Sequence, residues 1–506
     1  MKISLAAKVL GATVLLAPAV SATWSIVAVN TRTGEVCIAS ATCLEGLDLQ
    51  GLTPVVRIGL GGACAQSQGD STGLNRARIW NDLIAGMTPQ EILDDLAAND
   101  SHHQGRQYGI VNMADEPVTF SGSSDGMAYY GVARVVDDIR YAIQGNVLTG
   151  VQVITNAENA FLATQGDLSQ KVIAAMEGAR VFGGDGRCSC YDGAPMFCGC
   201  PPPHFTYSAY TGFLILARMG DVDGATCDGA TGCANGQYFC DLRSISFLGG
   251  PEPVLDLEAQ YATWRAARLG TTDHIRTLVS PSAGRLPADA VSQSIVDVEL
   301  RDIDGNPVTA NPATITIADV SGTPVATAGP VQFVAPGRFR FPVTSTTQTG
   351  EGRWQITVHH PGLDVLLWPE LVVSIEPPAE LFAGFGVVSA TQGARVPLWL
   401  DSGVAAAGEH YLILASASGT SPGTPFAGIT LPLNFDAVLR SSYTGAGTGR
   451  YIATTGALDA NGRASATFVA SPNLLYPLLG RHVDWAAVVY GAPNHATNND
   501  GFDVAP

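Results

Sequence analysis

Thr23-Trp-Ser-Ile-Val-Ala-Val-Asn30, followed by Thr31-Arg-Thr-Gly34 and Glu35-Val-Cys-Ile-Ala-Ser-Ala41, is the stretch whose reading decides the fold. Trp24–Val29 is a short apolar and β-branched run, and Val36–Ala41 is a second. Asn30–Gly34 between them is turn chemistry, so the two runs read as a β-hairpin. By hairpin logic Ser25 and Ser40 lie close to Thr23.

Upstream, Met1–Ala22 carries Lys2 and Lys8, an apolar stretch Val9–Ala19 and the small-residue end Val20-Ser21-Ala22. That pattern predicts an export leader cut after Ala22. The alternative is a buried first helix or a single anchor. Cleavage would leave Thr23 first, with a free α-amine that titrates at about 7.7–8.0. A neutral amine beside its own Oγ1 can take the hydroxyl proton, directly or through one water. Nucleophile and base then sit in one residue. The competing reading is that Thr23 is simply where the leader ends.

Downstream, Val55–Gly59 continues the β pattern. Ile79, Leu83 and Ile84 fall at helical spacing and Gly86 stops the run. Thr88-Pro89-Gln90-Glu91 combines an N-cap, a first-turn Pro and a capping-box Glu, and Ile92, Leu93 and Leu96 give that helix its apolar face. Tyr108–Val111, Val118–Phe120 and Tyr141–Ile143 read as strands, Val151–Leu162 and Leu168–Ala179 as helices, and Phe213–Leu216 as a buried strand. Blocks of strands and helices in this order predict helix layers on antiparallel sheet, an α+β fold. Leu255–Leu269 reads as an amphipathic helix. Beyond about residue 280 short strands and turns take over: Ile295–Leu300, Ile315–Ile317, Val331–Val334, Arg338–Pro342 and Trp354–Val358, the spacing of a sandwich. After Pro377-Pro378 the pattern is again β and turn, with Leu398–Leu400, Tyr411–Ala415 and Ala486–Tyr490 as strands. The expected organisation is a leader (1–22), an α+β domain with Cys-rich insertions (23–250), a helical linker (251–283), an Ig-like β-sandwich (284–376) and a C-terminal β-domain, sandwich or jelly-roll-like (380–506).

Composition narrows the function. Lys plus Arg is 27 against 45 Asp plus Glu, a net charge of −18. This excess of acid argues against nucleic acid and anionic membrane surfaces, which need basic patches. No apolar run after residue 22 reaches the ~18 residues of a membrane span, so no transmembrane anchor is expected. The 10 cysteines agree with an oxidising compartment. Cys37, Cys43 and Cys64 lie early and seven more fall in Cys188–Cys240. Both groups are odd in number, so full pairing requires a bridge between them. Cys188-x-Cys190 and Cys198-x-Cys200 could instead hold zinc, although thiolate sites usually show CxxC spacing. Asp221, Asp223 and Asp228 are weak calcium candidates, since they lack the series of an EF-hand; a disulfide-tied turn is the competing reading.

Thr23–Asn30 with Thr33-Gly-Glu-Val36 resembles the opening of a bacterial family catalogued as domain of unknown function 1028. Further matching stretches follow in order: Ala63-Cys-Ala-Gln66, Gly86–Leu93, Arg106-Gln-Tyr-Gly-Ile-Val111, Gln144-Gly-Asn-Val-Leu148 and Gly183-Gly-Asp-Gly-Arg187. The resemblance covers roughly residues 23–218. It implies a fold like that of N-terminal-nucleophile (Ntn) hydrolases, two antiparallel sheets between helix layers, a four-layer αββα domain. It implies that fold more firmly than any activity, and it supplies no substrate. The chain departs from the pattern at Asn112, where the family often has Asp, and in the insertion after Arg187. It also lacks the lysine that assists threonine in proteasome-type relatives, because without the leader only Lys171 remains. Ala288–Val308 resembles invasin-type Ig-like modules, with Asp302–Pro307 as their recurring turn.

Candidate helpers of Thr23 follow. Asn146 could donate to an oxyanion or simply end a strand. Asp185 and Arg187, after two glycines, could orient substrate or the Thr23 amine, or form a structural ion pair. Arg106, Gln107, Gln144 and Ser40 are candidate substrate contacts, each equally readable as an ordinary structural residue. His102-His103 reads as a solvent-exposed pair. Two functions are expected from this sequence. One is a secreted Ntn-type amidohydrolase acting, without cofactor, on a small-molecule or peptide-like substrate. The other is a secreted, cell-surface or periplasmic binding protein that meets a glycan or protein through its β-domains.

Overall fold

The computed structural model describes residues 23–68, 70, 72–124, 128–310 and 312–506; the expected leader Met1–Ala22 lies outside the described residues. The chain forms two compact units that meet in sequence at Ala267 and Arg268.

The first unit contains, in order, β1 (Thr23–Asn30), β2 (Glu35–Thr42), β3 (Pro54–Arg57), β4 (Gly61–Ser67), α1 (Leu74–Ile84), α2 (Pro89–Asn99), β5 (Arg106–Asn112), β6 (Val118–Ser121), β7 (Tyr130–Val136), β8 (Ile139–Asn146), α3 (Gln152–Ala163), α4 (Leu168–Val181), α5 (Gly186–Ser189), β9 (Thr211–Ala217), β10 (Cys240–Ile245) and α6 (Pro253–Ala266). One sheet runs β10-β9-β2-β1-β8-β7 and the other β3-β4-β5-β6, both antiparallel throughout.

Side-chain alternation along β1 explains the layers. Trp24, Ile26 and Ala28 join α3, α4 and α6 in one core through Phe161, Val172, Met176 and Leu257. Val27 and Val29 face the other way, against Val56, Cys64 and Val111 of the second sheet. A third core, with Ala63, Tyr108 and Ile110 on one side and Ile79, Leu83, Ile92 and Leu96 on the other, seats α1 and α2. The result is the expected αββα order. β1 is covered on both faces, which is why Ile26–Val29 is a continuous apolar run. The expected capping box is present at Thr88 and Glu91, with Pro89 in the first turn of α2.

Three strands of the first unit escaped the sequence reading. β4 is Gly-Gly-Ala-Cys-Ala-Gln-Ser, poor in β-branched residues, and forms because β3 and β5 pair with it on both sides. Its Gly61 is required: a Cβ there would lie 2.3 Å from the carbonyl oxygen of Val111. β7 and β10 are edge strands with weak patterns. The segment 251–283, expected as a helical linker, is corrected by the packing. Val254, Leu257 and Tyr261 of α6 are buried in the core of the first unit, so the helix is a structural layer rather than a tether.

Among its described residues the second unit is β apart from two single 3-10 turns and a short α-helix, Ala437–Thr444, where only strand and turn were expected. The Asp436 side chain caps that helix by accepting from the Leu439 N–H at 2.7 Å. An Ig-like sandwich packs Trp354, Phe341 and Val296 between its sheets. A second sandwich encloses Trp485, Phe468 and Phe502. Arg285 joins the two, pairing with Glu376 at 2.6 Å and Asp500 at 3.3 Å.

Candidate functional site

The hairpin register places Thr23 opposite Thr42 on one side, and opposite Asn146 of β8 on the other. Thr23 is thus the last rung of the two central strands. The Thr23 nitrogen donates to Asn146 Oδ1 at 3.0 Å, and Thr23 Oγ1 donates to Thr42 Oγ1 at 3.3 Å. Thr42 Oγ1 also accepts from Arg187 Nη2 at 3.4 Å. Nitrogen and hydroxyl of one residue are therefore held by separate partners, and a guanidinium lies one hydroxyl away.

Arg187 is held by Asp185. Its Nη2 lies 2.8 Å from Asp185 Oδ2 and its Nε 3.2 Å from Oδ1. Asp185 is fully buried and caps α5 by accepting from the Arg187 N–H at 3.0 Å; it also accepts from the Cys43 N–H at 2.8 Å. The glycines before it have a steric reason. A Cβ on Gly184, whose φ is +55°, would stand 2.6 Å from the Trp24 ring. On the other side Val147, a β-branched residue at φ 52°, turns the chain sharply after Asn146. Gly186 N donates to the Val147 carbonyl at 2.9 Å, which ties the two loops together. Behind the loop the Asp185 N–H donates to the Ser208 carbonyl. Ser208 Oγ in turn donates to Glu252 at 2.5 Å, and burial pushes the Glu252 carboxyl above its ordinary range.

Below Thr23 the space between the sheets is polar. Ser40 Oγ donates to the Trp24 carbonyl at 2.8 Å and lies 2.8 Å from Ser25 Oγ. Ser25 donates to Gln66 Oε1. Gln66 Nε2 donates to the Thr23 carbonyl at 2.9 Å and to Gln107 Oε1 at 2.7 Å. Gln107 Nε2 donates to Ser121 Oγ and to the Gly145 carbonyl. This network locks the backbone of the Thr23 strand to both sheets.

Thr23, Asn146, Asp185 and Arg187 are therefore brought together. Ser40 and Gln107 lie beneath them as buried supports. Gln144 is buried between the sheets against Gly109, where a Cβ would come within 2.1 Å of its Oε1. Arg106 is drawn away, with Nε 2.8 Å from Asp100 Oδ2 and Nη1 on the Gln68 carbonyl. Ser40, Gln107 and Arg106 are hydrogen-bonded within the fold, whereas the Gln144 amide is buried without a hydrogen-bond partner. Asn146 meets Thr23 through its oxygen, which orients the nitrogen; the N–H groups an oxyanion would need are on its Nδ2. Thr42 and Gln66 were missed as site residues. The hairpin pairing that brings Ser25 to Ser40 extends by two residues to bring Thr23 to Thr42, so the signal was present.

Six of the ten cysteines are paired. Cys43–Cys188 is the bridge between the early and late groups; Cys190–Cys198 and Cys227–Cys233 are local. Cys37, Cys64, Cys200 and Cys240 are thiols, so full pairing does not occur. Cys64 lies in the apolar space between the sheets, where burial pushes its pKa up to about 12. Among the described residues no group of three or more His, Cys, Asp or Glu side chains is placed to hold a metal ion. Asp221, Asp223 and Asp228 each accept from backbone N–H groups, of Phe239, Ile58 and Thr231 respectively. His102 is exposed, but His103 is buried and stacks on Phe120 at 4.1 Å, because the turn before β5 points it inward.

Residues 23–193 match the profile of a family described as "Family of unknown function (DUF1028)", the region whose motifs suggested it. A DUF1028 protein from Silicibacter pomeroyi is similar in structure at 17% identity, over 48% of this chain and 89% of that one, with a TM-score of 0.35. The Yersinia pseudotuberculosis adhesin InvE is similar at 19% identity over 45% of this chain and 59% of its own, with a TM-score of 0.17. The Escherichia coli adhesin FdeC is similar at 9% identity over 78% of this chain and 91% of its own, with a TM-score of 0.18. No curated protein matches the chain. Among the described residues no helix is long and apolar enough to cross a membrane.

Proposed function

We propose that the first unit is an N-terminal-nucleophile amidohydrolase of an exported protein, with Thr23 as its nucleophile once the leader is removed. The observation that carries this reading is the separate anchoring of the two Thr23 groups, nitrogen on Asn146 Oδ1 at 3.0 Å and hydroxyl on Thr42 at 3.3 Å. Three disulfides support an oxidising destination.

In the proposed reaction Thr23 Oγ1 attacks the amide carbon while its proton passes to the α-amine, which Asn146 orients. The C–N bond breaks as that proton moves to the leaving nitrogen, leaving an ester on Thr23. Water then attacks the ester carbon and gives its proton to the amine. The carboxylic acid leaves and the hydroxyl is restored. Arg187, fixed by Asp185, holds positive charge near the hydroxyl pair through Thr42 Oγ1. It cannot act as the base, because guanidinium keeps its proton.

A second reading, a non-catalytic extracellular binding protein on the same scaffold, draws on a different observation: Thr23 is 1% exposed in the uncleaved chain. Two measurements separate the readings. Intact mass and N-terminal sequencing of the secreted protein should begin at Thr23 with a free amine. Amide turnover, screened on acyl-anilides, should vanish in Thr23→Ala with its melting temperature kept. A blocked or different N-terminus, or unchanged turnover in Thr23→Ala, rejects the amidohydrolase and leaves the binding protein.

A further inference from the structure

Thr42, which accepts from the Thr23 hydroxyl, is followed directly by Cys43. The Cys43 N–H donates to Asp185, Asp185 holds Arg187, and Arg187 returns to Thr42 Oγ1. Cys188 follows Arg187 and is bonded to Cys43 across 145 residues of sequence. One covalent link therefore closes a ring that contains every contact between the end of β2 and the Asp185–Arg187 loop named above. The other two bridges span 8 and 6 residues and each ties a loop to itself. Asp185 is fully buried, so its carboxyl oxygens depend on the donors that the fold places around them.

We propose that the Cys43–Cys188 disulfide is a positioning element for the Thr23 site, so that the site is assembled only in the oxidised protein. In the reduced chain the loop would be free to leave β2, which removes the Cys43 N–H from Asp185 and the guanidinium from Thr42. Formation of the bridge oxidises two thiols, whose two electrons and two protons pass to a disulfide-carrying oxidant. A dithiol reductant reverses the step and is itself oxidised to a cyclic disulfide. A precursor that still holds its thiols reduced would carry Thr23 without its ordered partners. This inference rests on the reading of Thr23 as the nucleophile for its catalytic meaning, but its geometry can be tested without it.

The experiment uses the exported protein, cleaved before Thr23 and otherwise whole, in three forms: wild type, Cys43→Ala/Cys188→Ala, and Cys227→Ala/Cys233→Ala as a disulfide-deletion control away from the ring. Two readouts are taken, covalent labelling of Thr23 by a β-lactone probe and hydrogen exchange of the Cys43-position amide and of segment 183–190. The expected result for the first variant is exchange faster by at least about tenfold at those positions, as for loss of a hydrogen bond to a charged acceptor, and labelling reduced by a similar factor. The control should match wild type in both. Wild-type exchange in the Cys43/Cys188 variant overturns the proposal, as does equal acceleration in the control. If wild type itself is not labelled, the nucleophile reading fails, and exchange alone still decides the positioning role. If the alanine variant does not fold, wild type treated with dithiothreitol, with the opened bridge identified by alkylation and peptide mapping, gives the same comparison. Loss of exchange protection confined to molecules with Cys43–Cys188 opened supports the proposal, and retained protection overturns it.

Discussion

Replacing Asn146 by Asp tests whether Thr23 supplies its own base. The change is nearly isosteric and turns the oxygen 3.0 Å from the Thr23 nitrogen into part of a carboxylate. Thr23 is 1% exposed and Asn146 0%, so mobile ions screen the pair weakly. At an effective dielectric constant of about 20 the attraction between unit charges at this distance is roughly 5 kcal/mol. Desolvation of the new carboxylate offsets part of it, and opposite charges this close shift a pKa by about 1–3 units. The freed amine, ordinarily near 7.7–8.0, would then titrate at about 9–11. The sign follows from the charged form being favoured: the amine stays protonated at neutral pH and cannot accept the hydroxyl proton. Near pH 7 the neutral fraction, and with it the rate of attack, falls by roughly 10- to 1,000-fold and recovers as the pH rises through the new pKa. The assay is the pH profile of β-lactone labelling of Thr23, read by intact mass, for wild type, Asn146→Asp and Asn146→Ala. The Asp profile should be displaced upward by about 1–3 pH units, and the Ala profile should lose amplitude without that displacement. An Asp profile with the wild-type midpoint refutes the reasoning.

Other perturbations test the scaffold. Arg218 and Glu35 form an ion pair at 2.9 Å, each 3% exposed, with Arg218 also 3.9 Å above the Phe239 ring. Arg218→Met strands a buried carboxylate and should cost about 3–5 kcal/mol in urea unfolding at neutral pH. A deficit below about 1 kcal/mol would contradict this. Partial burial acts to raise the Asp100 carboxyl, but Arg106, the His102 N–H and Asn75 hold it at about 2. A depressed pKa stabilises the fold above the unfolded value and is lost as the pH falls from about 4 to about 2, so Asp100→Asn should flatten the acid limb of the Tm profile there. Gly109→Ala would drive a methyl into Gln144, with an expected cost of about 1–3 kcal/mol. Gln144→Ala in the same chain should relieve most of that cost, and additive losses would show that the two do not meet.

Much of the first unit was legible because its signals are local. The hairpin rests on a turn between two β-branched runs, and the start of α2 rests on four consecutive residues, Thr88 to Glu91. β4 was illegible for the opposite reason: its Gly and Ala residues carry little strand preference, and its neighbours in the sheet impose the conformation. The helix at Ala437–Thr444 was hidden in a region of β character, and its Asp436 cap was the cue available. The site divides in the same way. Thr23 was singled out from chemistry carried by one residue and an expected leader. The placement of Arg106 beside Asp100 and of Gln144 beside Gly109 was not legible, because each depends on a neighbour that only packing brings close.

The sequence by itself determined the hairpin, the capped helix and the β character of the C-terminal half. These depend on neighbours a few positions apart, whose geometry is set by turn chemistry, side-chain period and capping. Only the tertiary structure decided which groups surround Thr23. Asn146 is 123 residues away, and the loop carrying Arg187 is held by a bridge that spans 145. Strand register and a disulfide, both closed when distant segments pack, choose those partners, and no local pattern encodes the choice.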